Sequence, residues 1–523
     1  MRRPLFLTGF MATGKSTIAR KVADLSGRPY VDLDQQIERE AGVPVAQIFA
    51  ERGEAEFRAL ERRCLAVELE RREPAVVALG GGALLQRSVR LDVLDRAVLV
   101  VLEASAAEIV QRVGNAGSRP LLAGPDPLTR AQELLELRAP GYAEAHARLS
   151  TERRSPAELA QAVLAIWRED PLAVGAGEQS YAVEIGAGLI GRRLAAVAGS
   201  PSRVVLVSDQ NVHGLHGAKA SSALSNHTVE TVVPEPGEEN KHIGSIEPIW
   251  RAALASGADR KSLFVGLGGG VVTDMTGFAA ATYMRGVPWI GVPSTLLAMV
   301  DASVGGKTGV DLGSAKNAVG AFHQPRHVLC DVELLQTETP RAYRSAIAEV
   351  VKTALIGDPS LLDLLETEHE AVLARSAEVV TEIVRRSIRV KARIVSEDQR
   401  EQGKRAWLNL GHTVGHALES VGGYNRWLHG EAISLGLVAA LGIGRALNKT
   451  PADLLARTQR VLELYQLPVS LKDEPLEAAS RLIGHDKKRG GSKLRFVFAH
   501  APGHVETEDL PLSQVEELTR GLA

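Results

Sequence analysis

Over the first third of the chain, short apolar runs alternate with amphipathic stretches. PLFLTGF (4–10) predicts a buried strand, and the apolar spacing over 15–26 predicts the helix that follows it. YVDLD (30–34) predicts a second strand, 54–72 a helix, and AVVALG (75–80) and AVLVVLE (97–103) two further strands. This βαβ rhythm predicts a parallel sheet with helices on both faces. A helix over 155–168 closes the region, with Ser155 as N-cap and Pro156 in the first turn. The stretch EDPLAVGAGEQS (169–180) is rich in Gly, Pro and acid and predicts a linker.

A second α/β pattern follows. YAVEIGAGLIG (181–191) predicts a strand and turn, RVVLVSD (203–209) a strand, and LFVGLGGGVVTD (263–274) a strand running into a glycine turn. From about Thr339 helical periodicity dominates. The apolar stretch 432–444 is too short to span a bilayer and predicts a buried helix. The expected layout is a domain over 1–168, a linker over 169–180, an α/β domain over 181–338 and an α-helical domain over 339–523.

Composition narrows the function. Lys plus Arg is 61 and Asp plus Glu is 63, so the net charge of −2 argues against nucleic-acid or membrane-surface binding. Aromatics at 4% argue against stacking platforms for single strands. Cys64 and Cys330 are far apart with no CxxC, which excludes a disulfide framework and a cysteine-based zinc site. With no cleavage-site pattern near Met1, the expected compartment is the cytoplasm. Glycine stands out, at 50 residues. Average usage would give about 37.

Some of that excess is in motifs. Gly9-Phe10-Met11-Ala12-Thr13-Gly14-Lys15-Ser16-Thr17 fits GxxxxGK[ST] between a predicted strand and helix, the context of a P-loop. Backbone N–H groups there wrap phosphates, Lys15 reaches the β and γ oxygens, and Ser16 holds Mg²⁺. Strand alternation places Asp32 and Asp34 on one side at a strand end, where ligands bind in open α/β sheets; helix capping at a strand–helix turn, which Asp34 alone would fit, is the plain alternative. Arg58, the Gly80-Gly81-Gly82 turn, Arg119 and Arg138 follow.

Taken in order, GFMATGKST, VDLDQQIE, IFAERGEAEFRALE, LGGGAL, SRPLLAG and LRAPGY resemble the shikimate kinase family across 3–170. The resemblance implies an ATP·Mg²⁺-dependent kinase. Asp34, Arg58, Gly80, Gly81, Gly82 and Arg138 would hold shikimate, with Asp34 placed for catalysis. Gly9, Gly14, Lys15, Ser16 and Thr17 would hold ATP·Mg²⁺. Arg119 in a lid would reach the phosphates, Arg112 would lie along the adenine, and Asp32 would support Mg²⁺ or orient the attacking hydroxyl. Thr13 is a departure, since many members carry a smaller residue there.

A second constellation lies further on. His412 and His416 are i, i+4 on one helical face, His429 follows in LHGEA, and AEVVK upstream (348–352) is expected to begin a helix that carries Glu349. Two histidines and a glutamate make a catalytic zinc set with an open fourth position, but spacing alone does not choose between the histidines. Gly268-Gly269-Gly270 follows a strand, where a dinucleotide pyrophosphate approaches backbone. It is not GxGxxG, and a tight turn needing φ > 0 is the plain alternative.

PEPGEENK, GLGGGVVTDMTGFAAATYMRG, VPSTLLAMVDASVGGKTGVD, AKNAVGAFHQP, AEVVKTAL, LNLGHTVGHALE, LHGEA and HDKK resemble the 3-dehydroquinate synthase family from Tyr181 to about His500. The resemblance implies Zn²⁺ or Co²⁺ on Glu349, His412 and His429, with His416 as a substrate or proton-transfer group. It implies NAD contacts from Asp209, Asn211, Glu238, Lys241, Gly269, Gly270, Val271, Asp274, Ser294, Thr295 and Lys316. Substrate contacts would come from Asp301, Lys307, Asn317, Lys352, Lys391, Arg405, Asn409, His416 and Lys487, and from Arg285 of a neighbouring subunit in a homodimer. Lys307, Lys352, Lys391, Arg405 and His416 would be catalytic. The implied reaction closes 3-deoxy-D-arabino-heptulosonate 7-phosphate to 3-dehydroquinate, releasing phosphate, with NAD recycled. Glycerol dehydrogenase-like enzymes share the zinc and NAD parts, but the cluster Lys352, Lys391, Arg405 favours an anionic substrate.

Overall fold

The computed structural model describes residues 3–114, 122, 125–313, 315–423, 425–487 and 493–522, with backbone alone at 484–487. Arg119 and the Lys487 side chain, both expected in sites, lie outside the described residues. Contacts divide the chain into two units, Met1–Glu184 and Ile185–Ala523.

In the first unit, β1 (Leu5–Gly9), β2 (Tyr30–Asp32), β3 (Val76–Ala78), β4 (Val98–Glu103) and β5 (Ala147–Ser150) form a parallel sheet of order β2-β3-β1-β4-β5. Alternation sends Phe6, Val77 and Leu99 to one face and Leu5, Leu7, Val76 and Val98 to the other. Both faces are buried under helices, as continuous apolar strands require. Ser155 caps Pro156–Glu169 in a full capping box with Glu158.

Two expectations are corrected here and one is sharpened. Strand β2 ends at Asp32, which caps the next helix by accepting from Gln35 N, so Asp34 stands in a helical turn and not on the strand. The helix expected over 54–72 is present: the run Val45–Glu70 breaks at Gly53, φ 79°, and its second part covers 54–70. The stretch 169–180, expected as a linker, holds β6 (Leu172–Val174), fully buried, which pairs antiparallel with β7 (Tyr181–Gly186). Its polar composition is used in fixed bonds: Asp170 pairs with Arg3 at 2.8 Å, and Gly177 N donates to Glu144.

The second unit is built on β8 (Val204–Val207), β9 (Val229–Val232), β10 (Leu263–Gly268) and β11 (Trp289–Pro293). A hairpin, β12 (Lys307–Leu312) with β13 (Ala315–Phe322), and then β14 (His327–Asp331) follow. Within this unit the main sheet runs β14-β11-β10-β8-β9. Helices Pro340–Gly357, Ala377–Glu397, His412–Val421 and His429–Ala446 make the helical part. The apolar stretch 432–444 is buried within the last of these. The helical part also holds an antiparallel hairpin missed by the periodicity reading, β15 (Lys493–Ala501) with β16 (His504–Pro511). Cys64 and Cys330 are both buried and free. Among the described residues no helix is long and apolar enough to cross a membrane.

Candidate functional sites

In the first unit the loop after β1 turns through Gly9 (φ 143°), Ala12 (φ 60°) and Gly14 (φ 86°). A Cβ on Gly9 would sit 2.2 Å from the Leu102 carbonyl, so only glycine fits. Lys15 Nζ donates to the carbonyls of Gly9 (2.9 Å) and Phe10 (2.8 Å). Thr13, the departure noted above, is buried and donates its hydroxyl to the Phe10 carbonyl at 2.8 Å, bracing the loop. Ser16 Oγ donates to Asp32 Oδ2 at 3.3 Å, so a hydroxyl and a carboxylate stand together beside the phosphate loop. Thr17 is exposed one residue on. Arg112 donates to the Ala12 carbonyl and to Thr151 on the rim of the same loop.

The Gly80–Gly82 turn gathers the next group. A Cβ on Gly80 would lie 3.1 Å from Asp34 Oδ1, on Gly81 3.1 Å from Arg138 Nη1, and on Gly82 2.8 Å from Arg58 Nη2. Glycine lets all three charged groups close on one turn. Arg138 also stacks over Phe10 of the phosphate loop, 5.2 Å from the ring centroid. Glu61, not singled out from the sequence, pairs with Arg58 at 2.6 Å. Burial raises its carboxyl against the pull of Arg58.

In the second unit, Gly269 caps the Gly270–Thr282 helix with φ −71°, so the alternative of a positive-φ turn does not hold there. The glycines there make room: a Cβ on Gly268 would meet Val272 at 2.6 Å. Val271 opens that helix, and Asp274 on it pairs with Lys241 at 2.6 Å. Burial pushes the Asp274 carboxyl up to about 6, against Lys241. Lys241 also donates to Asn317 Oδ1 at 2.6 Å. Ser294, on the loop with Thr295 after β11, has a buried hydroxyl with no partner, a polar atom available to a ligand. Asp209 caps the turn containing Asn211, and Glu238 stands in a short 3-10 turn before Lys241.

The anion-binding candidates meet at Gly305-Gly306, both at positive φ. Arg405 donates to the Gly305 carbonyl at 3.2 Å. Asp301 accepts from Lys391 at 2.6 Å. Burial draws Lys391 below the ordinary lysine value in spite of that partner. Glu401, also missed from sequence, pairs with Lys307 and accepts from Asn409 Nδ2 at 3.0 Å. Arg285 is exposed, in a turn where Met284 and Arg285 both take positive φ.

Three helices converge on the last group. Thr339 caps the Pro340–Gly357 helix that carries Glu349 and Lys352, ion-paired and almost wholly buried. His412 and His429 each open a helix. His412, His416 and His429 offer nitrogens within 4.8 Å of one another. Glu349 Oε1 lies 3.5 Å from His412 Nε2 and 3.6 Å from His429 Nε2. Neither Glu349 oxygen accepts a hydrogen bond of good geometry, which fits a cation position among these groups. Burial alone would raise the Glu349 carboxyl. Lys352, then His412 and His429, outweigh it and hold the group well below the usual carboxylate range. Burial, and then the Lys352 ammonium, push the His412 imidazole down to about 3, leaving it neutral and able to ligate. Arg341, on the Glu349 helix, pairs at 2.7 Å with Glu431, which accepts from Leu428 N and so pins the start of the His429 helix.

Glycine again permits the approach. A Cβ on Gly430 would fall 1.9 Å from the Ser345 carbonyl, and one on Gly436 2.1 Å from the Gly411 carbonyl. Gly430→Ala is expected to push the His429 helix off the Glu349 helix, costing about 1–3 kcal/mol or more. Thermal melts together with bound-metal assays check this. A variant with unchanged midpoint and metal content would show that the helices have slack.

Three family profiles match the chain: Shikimate kinase over residues 11–167, 3-dehydroquinate synthase N-terminal over 231–345 and 3-dehydroquinate synthase C-terminal over 346–489. A 3-dehydroquinate synthase of Caulobacter vibrioides is 43% identical over 341 residues, covering 63% of this chain and 92% of that protein. One of Syntrophotalea carbinolica is 40% identical over 346 residues, covering 65% and 95%. A solved structure of ValA, a 2-epi-5-epi-valiolone synthase from Streptomyces hygroscopicus subsp. jinggangensis, holds NAD⁺ and Zn²⁺. It is 26% identical with TM-score 0.59, covering 65% of this chain and 96% of that one. The chain therefore belongs to the 3-dehydroquinate synthase family and joins to it a shikimate kinase unit, two enzymes in one polypeptide.

Proposed function

We propose that the chain catalyses two reactions of aromatic-precursor biosynthesis. The first unit transfers the γ-phosphoryl group of ATP to the 3-hydroxyl of shikimate. The second converts 3-deoxy-D-arabino-heptulosonate 7-phosphate to 3-dehydroquinate and phosphate. The observation that carries this reading is that each unit assembles its own set of anion-gripping cations around glycine turns, with the second adding the Glu349–histidine cluster.

In the kinase, Arg58 and Arg138 grip the substrate carboxylate over the Gly80–Gly82 turn. Asp34 orients the attacking hydroxyl, Lys15 leaves its loop carbonyls for the ATP phosphates, and Ser16 with Asp32 holds Mg²⁺. Arg112 lies along the adenine, and Arg119 contacts the ATP phosphates.

In the synthase, Glu349, His412 and His429 hold zinc or cobalt, and the Gly268–Gly270 turn with Lys241, Asp274, Ser294 and Thr295 holds NAD. Bound NAD would accept and return a hydride, and a bound divalent ion would polarise a hydroxyl and then a carbonyl. Lys352, Lys391 and Arg405 bind the carboxylate and phosphate, Asp301 keeps Lys391 in place, and Lys307 and Asn409 are held ready by Glu401. His416, the most exposed of the three histidines, stands where a proton can pass to or from solvent. Exposed Arg285 reaches the substrate phosphate in the site of a neighbouring subunit in a homodimer.

The test is an assay of both reactions after chelation and buffer exchange. With Mg²⁺ restored, shikimate phosphorylation is expected to return, while phosphate release from the heptulosonate phosphate with NAD⁺ waits for zinc or cobalt. Protein that phosphorylates shikimate yet never releases that phosphate, metal and NAD⁺ present, would overturn the second activity. Net NADH accumulation would point to a dehydrogenase.

A further inference from the structure

Glu419 follows His412 and His416 on the same helix at i+7 and i+3, so it shares their face. Its carboxylate is buried, with the side chain 8% exposed, and its two oxygens are divided. Oε1 accepts from Lys316 Nζ at 3.0 Å, and Oε2 lies 3.4 Å from His429 Nδ1. The other nitrogen of that imidazole, Nε2, faces Glu349. Lys316 belongs to β13, beside Asn317, which Lys241 holds.

We propose that Glu419 is a positioning residue joining the two ends of the synthase site. At one oxygen it fixes the tautomer and ring orientation of His429, so that Nε2 is the nitrogen presented to a metal. At the other it ties that imidazole to the hairpin that carries Lys316 and Asn317. A buried carboxylate shared between an ammonium and an imidazole N–H is costly to break on either side, which couples them. The proposal rests on His429 being a metal ligand.

The experiment measures zinc affinity of the full chain by competition with a chromophoric chelator, zinc alone being the probe. Glu419→Ala is expected to weaken zinc binding about 10–100-fold. Glu419→Gln keeps an acceptor for Nδ1–H and is expected to recover part of that loss. Lys316→Met removes the second partner and is expected to shift zinc affinity, and its effect in Glu419→Ala is expected to differ from its effect in the parent. Unchanged zinc affinity in Glu419→Ala, or strictly additive effects of the two changes, would overturn the proposal. If Glu419→Ala does not fold, a several-fold loss in Glu419→Gln supports the proposal and none overturns it. A His429→Ala variant that binds zinc like the parent would instead sink the reading of the site on which the proposal stands.

Discussion

Lys15→Ala is expected to cut shikimate phosphorylation by about 10²–10³-fold or more, the scale seen when one charged or hydrogen-bonding group facing a transition state is lost. Phosphate release by the synthase should stay within twofold. The asymmetry follows from position: Lys15 donates to carbonyls of its own phosphate loop, and the Glu349–histidine cluster belongs to the other unit. The loop should survive, since Gly9 and Gly14 set its turns and Thr13 holds the Phe10 carbonyl independently. Both rates are measured on one preparation, with a thermal melt as control. Loss of both activities in folded protein would mean that the two sites are not independent.

His412→Ala is expected to do the converse. It removes an imidazole 3.5 Å from a buried carboxylate that already lacks good hydrogen-bond partners. Bound metal should fall below one per chain, and cyclisation by more than the roughly 10–100-fold that outer-sphere changes cost. Shikimate phosphorylation should be unchanged. Metal analysis and the two assays decide it. A variant with full metal and full rate would remove His412 from the ligand set.

Much of this was legible in the chain because the information was local. The phosphate loop is a contiguous motif between a strand and a helix, and the structure puts Gly9 at the end of the strand and Lys15 and Ser16 at the start of the helix. The Ser155 cap and the buried 432–444 helix were legible for the same reason. Long-range placement was not. Alternation put Asp34 on a strand, but Asp32 ends that strand by capping the next helix. Glu61, Glu401, Glu419 and the Arg341–Glu431 pair carry no motif of their own, and each looks like an ordinary helical or loop charge until its partner is known. Lys307 and Glu401 are 94 residues apart, and Lys316 and Glu419 are 103 apart. The hairpin β15–β16 was hidden because its alternation is short and its outward face is highly charged.

The glycine contacts among the three helices have a further consequence. Where Gly430 and Gly436 lie against neighbouring carbonyls, backbone meets backbone, and that contact does not depend on anything bound between the helices. Buried apolar side chains surround it on all three. Such a cage differs from a small zinc module that unfolds when stripped. Stripping the ion should therefore leave a folded protein whose synthase activity is lost and returns on reloading, without a refolding step.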